Sequence, residues 1–531
     1  MKNDAEEGAW DVFGSEEEDD NSSHSTNDVR KDSSAVPLLL QQLTQIWMLQ
    51  NAGVRLSERI VGLYGEATMW TTALAEREIQ PQQIDHATPK PFHQPSYDAM
   101  ILCLAPNQSS DDIYSFLKDF RRIVRMVVPG GIIILPLNIR EAIIQSSKED
   151  WMFSELTTLQ NNNNDPTDSS GWELVQRRFC TIQWKTCRWL PSNYDLEAEY
   201  ERARKATVAL SMREHNQRKL TAQSIQRAIK ALQQYGYCII SGGLIHPEQS
   251  NLYGQAALSD LQQVADTLRQ EKGLQLFESG VISEEAAVYR EISQREHFRV
   301  DIRHGPTMEK LRGTSGNVSR TMTALENETN DFLRGNADLL EIIRRVMNPV
   351  NENLSPGNFG RYNFEGRGPD GSFQDVRVGP VGAIVTWPGA TDQALHADTP
   401  HLFEHMAALP AHYINVFTPG SMIVSEDDAH KVGQTAFLHE THKLDVTAKY
   451  EGNSRDSSFG TSEMWRKHLV RPQLNMGDVV LFDCRILHFG LPNESEHNTF
   501  RPLLYTNVTM HWFHDPKNWD NEKRIFSSYE S

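Results

Sequence analysis

Two histidines and an aspartate in the last quarter of the chain have the types and spacing of a metal site. The stretch Ala394-Leu395-His396-Ala397-Asp398-Thr399-Pro400 holds the only His-x-Asp among the 531 residues. In a strand, the side-chain period of two would turn His396 and Asp398 to one face, so that a ring nitrogen and a carboxylate oxygen reach one ion. With 19 histidines in the chain, one such triplet is about what chance supplies. The second element adds the weight. Gly477-Asp478 forms a turn that opens an apolar strand, Val479 onward, expected to carry His488 at its far end. Two histidines and one carboxylate on one side of an ion leave the opposite positions open, an arrangement suited to non-haem Fe(II) and O₂. His396, Asp398 and His488 are therefore the expected metal-binding and catalytic residues. Beyond a Gly-Leu-Pro-Asn turn, Arg501 begins the next apolar segment. A buried guanidinium is costly unless paired, and its planar fork suits a carboxylate held through two bonds. The distal carboxylate of 2-oxoglutarate would be that partner.

These residues need a rigid frame. Past about residue 358 the pattern is one of short strands separated by Gly, Pro, Asn and Asp turns: Gly382–Trp387, Tyr413–Phe417, Gln434–Leu438, Val479–Asp483 and Leu503–Met510. Such spacing predicts an antiparallel sandwich or barrel. Twelve of the histidines fall in residues 396–531. Besides the three singled out, His401, His405, His412, His439, His442, His511 and His514 are expected to bond in turns or line a pocket rather than bind metal. Arg485 is expected to face away from the site and pair with an acid. Tyr362, Asn363, Phe364, Trp387 and Phe403 are either pocket lining or ordinary core.

Five passages carry a family resemblance: "LHADTPHLF", "YINVFTP", "GQTAFLHETH", "GDVVLFDCRILHFG" and "RPLLYTNV". With them, residues from about 220 to 515 resemble the phytanoyl-CoA dioxygenase family of Fe(II)- and 2-oxoglutarate-dependent oxygenases. The resemblance implies a double-stranded β-helix (jelly-roll or cupin-like) with flanking helices. It implies iron on His396, Asp398 and His488, 2-oxoglutarate on Arg501, and Asn415 as a second contact to that co-substrate, with ascorbate as a candidate reductant. The expected reaction is hydroxylation of a substrate carbon coupled to decarboxylation of 2-oxoglutarate to succinate and CO₂. The family departs from this chain around the first ligand, where it commonly has an aromatic residue and Gln in place of Leu395 and Ala397. The substrate is left open between a small metabolite, a lipid thioester and a protein side chain.

The first part of the chain reads differently. Tyr97–Ala105 is a buried-type strand; a helix through Ile113, Phe116, Leu117, Phe120, Ile123, Val124 and Val127 follows, closed by Pro129-Gly130-Gly131 before a second apolar strand, Ile132–Leu137. Trp172–Arg177 and Thr181–Trp189 read as paired strands after a polar loop around 161–170. Residues 97–190 resemble the later half of a class I, S-adenosylmethionine-dependent methyltransferase, a Rossmann-like α/β fold. Such folds bind their cofactor on a Gly-rich turn after the first strand. Here Val61-Gly62-Leu63-Tyr64-Gly65-Glu66 lacks that G-x-G spacing, so a degenerate scaffold is expected rather than an active methyltransferase. The expected division is an acidic tail at 1–36, the methyltransferase-like domain at 37–195, a helical connector at 196–219 and the dioxygenase domain at 220–531. Two further readings stay open: a bifunctional methyltransferase and oxygenase, and a non-catalytic scaffold.

Composition restricts the rest. A formal net charge of −19 repels a phosphate backbone, which argues against nucleic acid as partner. Eleven acids crowd residues 1–35, where the segment should be disordered; Trp10, Val12 and Phe13 ahead of the acidic run make it a candidate protein-docking tail, and Ser15 a candidate for an acid-directed kinase. The five cysteines form no CxxC pair and no run of about 18 apolar residues occurs. A reducing compartment, cytoplasmic or nuclear, with no membrane span is the expectation.

Overall fold

The computed structural model describes Leu39, Leu43 and residues 59–65, 68–79, 81–84, 97–103, 120, 123, 124, 126–136, 156–158, 172–178, 181–182, 189–278, 280–294, 297–311, 336–347, 376–402, 409–421, 431–451, 462–495, 500–513, 515 and 523–526. The acidic tail with Ser15, the loop at 161–170, Tyr362, Asn363, Phe364, Phe403, His405 and His514 lie outside them.

Val61–Gly65 (β1), Pro81–Ile84 (β2), Tyr97–Cys103 (β3), Val127–Pro136 (β4), Leu156–Thr158 (β5) and Trp172–Arg177 (β6) form one sheet in the order β2-β1-β3-β4-β6-β5. The first four are parallel neighbours, and β6 runs antiparallel to both β4 and β5. The apolar run Ala99–Cys103 of β3 follows from burial on both faces. Ala99, Ile101 and Cys103 pack with Leu39, Leu43, Trp70 and Leu74, whereas Tyr97, Met100 and Leu102 pack with the helical residues Phe120, Ile123 and Val124. Val127 starts a strand instead of ending the helix. Pro129-Gly130-Gly131 lies inside β4, where the register against β3 shifts. A Cβ on Gly131 would come within 2.7 Å of the Asp98 carbonyl oxygen, so only glycine fits this irregularity.

The second part is built from two sheets, antiparallel except where β8 joins β9. Thr207–Ala209 (β8), Tyr237–Ser241 (β9), Ile292–Gln294 (β12), Arg299–Ile302 (β13), Arg377–Val378 (β14), Gly382–Thr386 (β15), Tyr413–Pro419 (β16), Val479–Asp483 (β20) and Arg501–Thr509 (β22) make the larger, ordered β12-β13-β15-β22-β16-β20-β9-β8 with β14 beside β22. A short hairpin, Phe277–Glu278 (β10) and Val281–Ile282 (β11), precedes β12. The smaller sheet holds Thr435–Leu438 (β17) between Leu469–Val470 (β18) and His488–Gly490 (β21). Side chains from both sheets meet in one core, with Tyr237, Phe417, Val480, Phe482, Leu503 and Tyr505 from the larger against Phe437 and Val470 from the smaller. Helices Ala222–Tyr235, Pro247–Glu271 and Ala337–Met347 cover the outer face of the larger sheet through Ile229, Leu261, Ile343 and their neighbours. This is the double-stranded β-helix with flanking helices that the sequence led us to expect.

Three expectations need correction. Residues 196–219 are not a plain helical connector: between the helices Leu196–Lys205 and Met212–Gln217, β8 joins the larger sheet parallel to β9. Three residues are too few to carry a visible period. Among the described residues, Trp172–Arg177 does not pair with Thr181–Ile182 as expected; residues 183–188 of the expected second strand lie outside them. Thr181–Ile182 (β7) pairs instead with Pro472–Gln473 (β19), so the early part of the chain adds a strand pair to the later one. Finally, the strand launched by Gly477-Asp478 stops at Asp483, and a turn at 484–487 carries the chain over to the smaller sheet, where His488 opens β21.

Other contacts tie the two parts together. The Asp98 carboxylate on β3 accepts from Arg59 Nη1, Ile60 N and, at 3.3 Å, Met212 N. Within the second part, Glu199 and Arg471 are an entirely buried ion pair, with Glu199 Oε1 also accepting from Arg471 N. The Trp189 ring lies 4.7 Å from that of Trp465 and 5.5 Å from that of Phe489.

Candidate metal centre

His396, Asp398 and His488 come together. One ligand atom from each lies within 4.8 Å of the others, a spacing that could hold a metal ion, and no other such group of His, Cys, Asp and Glu is found among the described residues. His488 Nε2 is 3.7 Å and His396 Nε2 3.9 Å from the Asp398 carboxylate. Strand alternation does not align His396 with Asp398. His396 makes an isolated antiparallel bridge to His488, its N–H donating to the His488 carbonyl at 3.1 Å and its carbonyl accepting at 2.8 Å. Asp398 follows in a turn whose next residue, Thr399, donates from its backbone to Cys484 O. The triad is thus assembled across one two-bond bridge, with its side chains half-buried at 396 and 398 and buried at 488.

The hydrogen bonds settle the ring tautomers. His396 Nδ1 lies 2.7 Å from Ala394 O and His488 Nδ1 3.0 Å from Ile486 O. A carbonyl only accepts, so both Nδ1 atoms carry a proton, and the two Nε2 atoms are the ones that face the centre. Asn415, on β16, donates from Nδ2 to Asp398 Oδ2 at 2.7 Å. The structure therefore sets Asn415 against the carboxylate of the triad.

Arg501 opens β22 opposite Thr386 of β15. It is 7 % exposed, its Nε lies 3.4 Å from Thr386 Oγ1, and its Nη1 is buried without a hydrogen-bond partner. Burial first, and the neighbouring Arg299 second, push its pKa down to about 9. Two guanidiniums facing one interior favour an anion between them. Arg299 was not anticipated. It begins β13, Arg299-Val300-Asp301-Ile302, followed by Arg303, and the alternation of charged with β-branched residues is the period-two signal that would have found this buried polar face. Gly490, two residues beyond His488, leaves room for it: a Cβ there would come within 2.9 Å of the Arg299 guanidinium.

The remaining histidines take other work. His439 Nδ1 meets the Tyr237 hydroxyl at 3.2 Å, His442 Nε2 lies 3.0 Å from Gln233 O, and His412 packs against Phe513 at 4.6 Å. Arg485 pairs with Asp483 at 2.5 Å, a partner that holds the Asp483 carboxyl down at about 2 against the effect of burial.

A His-Asp-His triad that could hold a metal ion, in a double-stranded β-helix that also buries Arg501 with Nη1 unbonded, fits the class of non-haem metal-dependent oxygenases. Residues 232–502 match the model of the family described as phytanoyl-CoA dioxygenase, and the chain belongs to that family. It is an Fe(II)- and 2-oxoglutarate-dependent dioxygenase, with ferrous iron as cofactor and 2-oxoglutarate as co-substrate. Similar solved structures include AviO1 from Streptomyces viridochromogenes Tue57, at 13% identity over 56% of this chain and 98% of that one, with a TM-score of 0.28. HygX from Streptomyces hygroscopicus, with nickel, 2-oxoglutarate and hygromycin B bound, is 12% identical over 56% of this chain and 90% of its own, with a TM-score of 0.31. SnoN, a non-heme alpha ketoglutarate dependent epimerase from nogalamycin biosynthesis, is 12% identical over 54% and 84%, with a TM-score of 0.30. Likeness at these scores carries no part of the assignment, which rests on the family match. No curated protein sequence matches the chain. Among the described residues, no helix is long and apolar enough to cross a membrane.

Proposed function

We propose that this dioxygenase hydroxylates a small-molecule or lipid-type substrate, with His396, Asp398 and His488 holding the iron and Arg501 holding 2-oxoglutarate. The observation that carries the reading is the convergence of two Nε2 atoms and one carboxylate within 4.8 Å. Bound ferrous iron supplies the O₂ chemistry that couples conversion of 2-oxoglutarate to succinate and CO₂ with insertion of one oxygen atom into a substrate C–H bond. The protein's part is positioning. Arg501 takes the distal carboxylate through two parallel bonds, Thr386 steers its Nε, and Arg299 adds a second positive charge from β13. The interior of Phe417, Phe437, Phe482 and Leu503 keeps water from the reacting end. The test is release of labelled CO₂ from 1-labelled 2-oxoglutarate. The intact chain releases it slowly even without substrate, and His396→Ala and Asp398→Ala reduce it to background. Equal release from all three proteins would remove the triad from the chemistry.

The early sheet we read as a degenerate, Rossmann-like methyltransferase scaffold over residues 37–195, supported by four parallel strands followed by an antiparallel β6 between β4 and β5. The oxygenase unit then begins near residue 196, because β8 belongs to its larger sheet. Titration with S-adenosylmethionine is expected to give no saturable signal; saturable binding would favour a bifunctional enzyme.

A further inference from the structure

We propose that Asn415, Asn507 and Arg303 are positioning residues that dictate which atom the Asp398 carboxylate meets, and so how tightly the centre holds a divalent metal. The proposal rests on His396, Asp398 and His488 being the ligands, as proposed above. Arg303 Nη2 donates to Asn507 Oδ1 at 3.1 Å, and Arg303 Nε donates to the Tyr505 hydroxyl at 3.1 Å, which in turn donates to Asp301 Oδ1 at 2.6 Å. Asn507 Nδ2 donates to Asn415 Oδ1 at 2.5 Å and also to the Tyr413 hydroxyl. Asn415 Nδ2 donates to Asp398 Oδ2 at 2.7 Å.

A guanidinium has no acceptor, so the amide oxygen of Asn507 must face it. The Asn507 NH₂ group is then left facing Asn415, whose oxygen must accept. The Asn415 NH₂ group therefore points at Asp398, where a donor fixes Oδ2 and leaves Oδ1 turned to the side of His396. One charge just past β13 thereby sets the polarity of two amides and delivers a donor, never an acceptor, to the carboxylate. Asn415 and Asn507 are a directly opposed pair on β16 and β22, and Arg303 follows β13, so the chain runs across the interior of the larger sheet. Partners of this kind typically alter metal affinity by about 10- to 100-fold.

Asn507→Asp is the diagnostic change. Its carboxylate still pairs with Arg303 but offers only acceptors to Asn415, which must turn its NH₂ toward residue 507 and its oxygen toward Asp398. Asn507→Leu removes the Arg303 contact yet leaves Asn415 free to keep its donor on Asp398. Anaerobic Co(II) titration of the metal-free full-length chain, read by the visible ligand-field bands, is the probe, with melting temperatures measured in parallel. Expected is Co(II) affinity about 10- to 100-fold weaker in Asn507→Asp, weaker than in Asn507→Leu, although Asn507→Asp melts at the same temperature or higher. A simple structural role predicts the opposite order, and that order, or unchanged affinity in Asn507→Asp, overturns the proposal. Should Asn507→Asp not fold, Asn415→Leu must show the same loss of affinity, and wild-type binding by it likewise overturns the proposal. His488→Ala separates the two levels: if it binds Co(II) as the intact chain does, the ligand assignment itself fails.

Discussion

Arg501 is buried with Nη1 unbonded, and a guanidinium in that state destabilises the chain until an anion arrives. Replacement by methionine removes the buried charge and keeps the volume. Arg501→Met is therefore expected to raise the melting temperature of the 2-oxoglutarate-free protein and to weaken 2-oxoglutarate binding about 100-fold, as loss of one partner from a buried charge pair does. Calorimetric titration beside a melting curve checks both; a lower melting temperature with intact binding would contradict the role. The same residue sets a pH dependence. Its pKa stands near 9 without ligand, and only the protonated form pairs with a carboxylate, so the affinity for 2-oxoglutarate should fall as pH rises through about 9. Affinity flat from pH 8 to 10 would place the anion elsewhere. These residues were legible to different degrees. His396, Asp398, His488 and Arg501 could be found because metal ligands and a paired arginine leave typed, spaced traces. Arg299, Asp301 and Arg303 were missed because charges in sequence are ordinarily read as surface, and only the interior of the β-helix makes them partners.

Among the elements, β21 does the most with the fewest residues. Its three positions give the proposed ligand His488, an apolar anchor at Phe489 and, on the side of His488 again, Gly490, where the Arg299 guanidinium lies. Gly490→Ala would push on Arg299 while leaving the His396–His488 bridge in place. The expected result is about tenfold weaker 2-oxoglutarate binding, the equivalent of about 1.4 kcal/mol, with Co(II) affinity unchanged in parallel titrations. Equal loss of both would mean that the strand itself had moved. The longer strands, β15, β16, β17 and β20, were readable from apolar runs between turn residues, and their observed limits differ from expectation by a residue or two at the ends. What could not be read was short or non-local. β8 and β21 are too brief to display a period, and the pairing of β7 with β19 joins residues almost 300 positions apart. The His396–His488 bridge falls in the same class, since nothing local in Leu395-His396-Ala397 indicates that it will bond across to β21.

At the scale of the molecule, the early sheet is fastened to the oxygenase part through Asp98 and Met212, through β7 and β19, and nearby Trp189 covers Trp465 and Phe489 directly behind the strand of His488. Trp189→Ala should cost about 2 kcal/mol through lost burial and lower the melting temperature by several degrees; an unchanged melting curve would make this contact incidental. The buried histidines predict how the whole chain responds to acid. Burial lowers His412 and His442 to about 4 and His439 to about 3 from an ordinary 6.5. Because the unfolded chain takes up these protons first, their contribution to stability is complete above about pH 6.5 and is lost as pH falls toward 4 and below. The unfolding free energy from urea titrations should decline steeply across that window, by up to about 4 kcal/mol per pH unit if all three titrate together, and the midpoint with it. A midpoint independent of pH between 6.5 and 4 would contradict their burial as neutral rings. The account as a whole stands on the iron site, and the most direct test is the visible spectrum of the full-length protein with Fe(II) and 2-oxoglutarate in the absence of O₂. A metal-to-ligand charge-transfer band should develop with one Fe(II) per chain and be abolished in His488→Ala and Asp398→Ala. No band in the intact protein, or one that survives both substitutions, would contradict it.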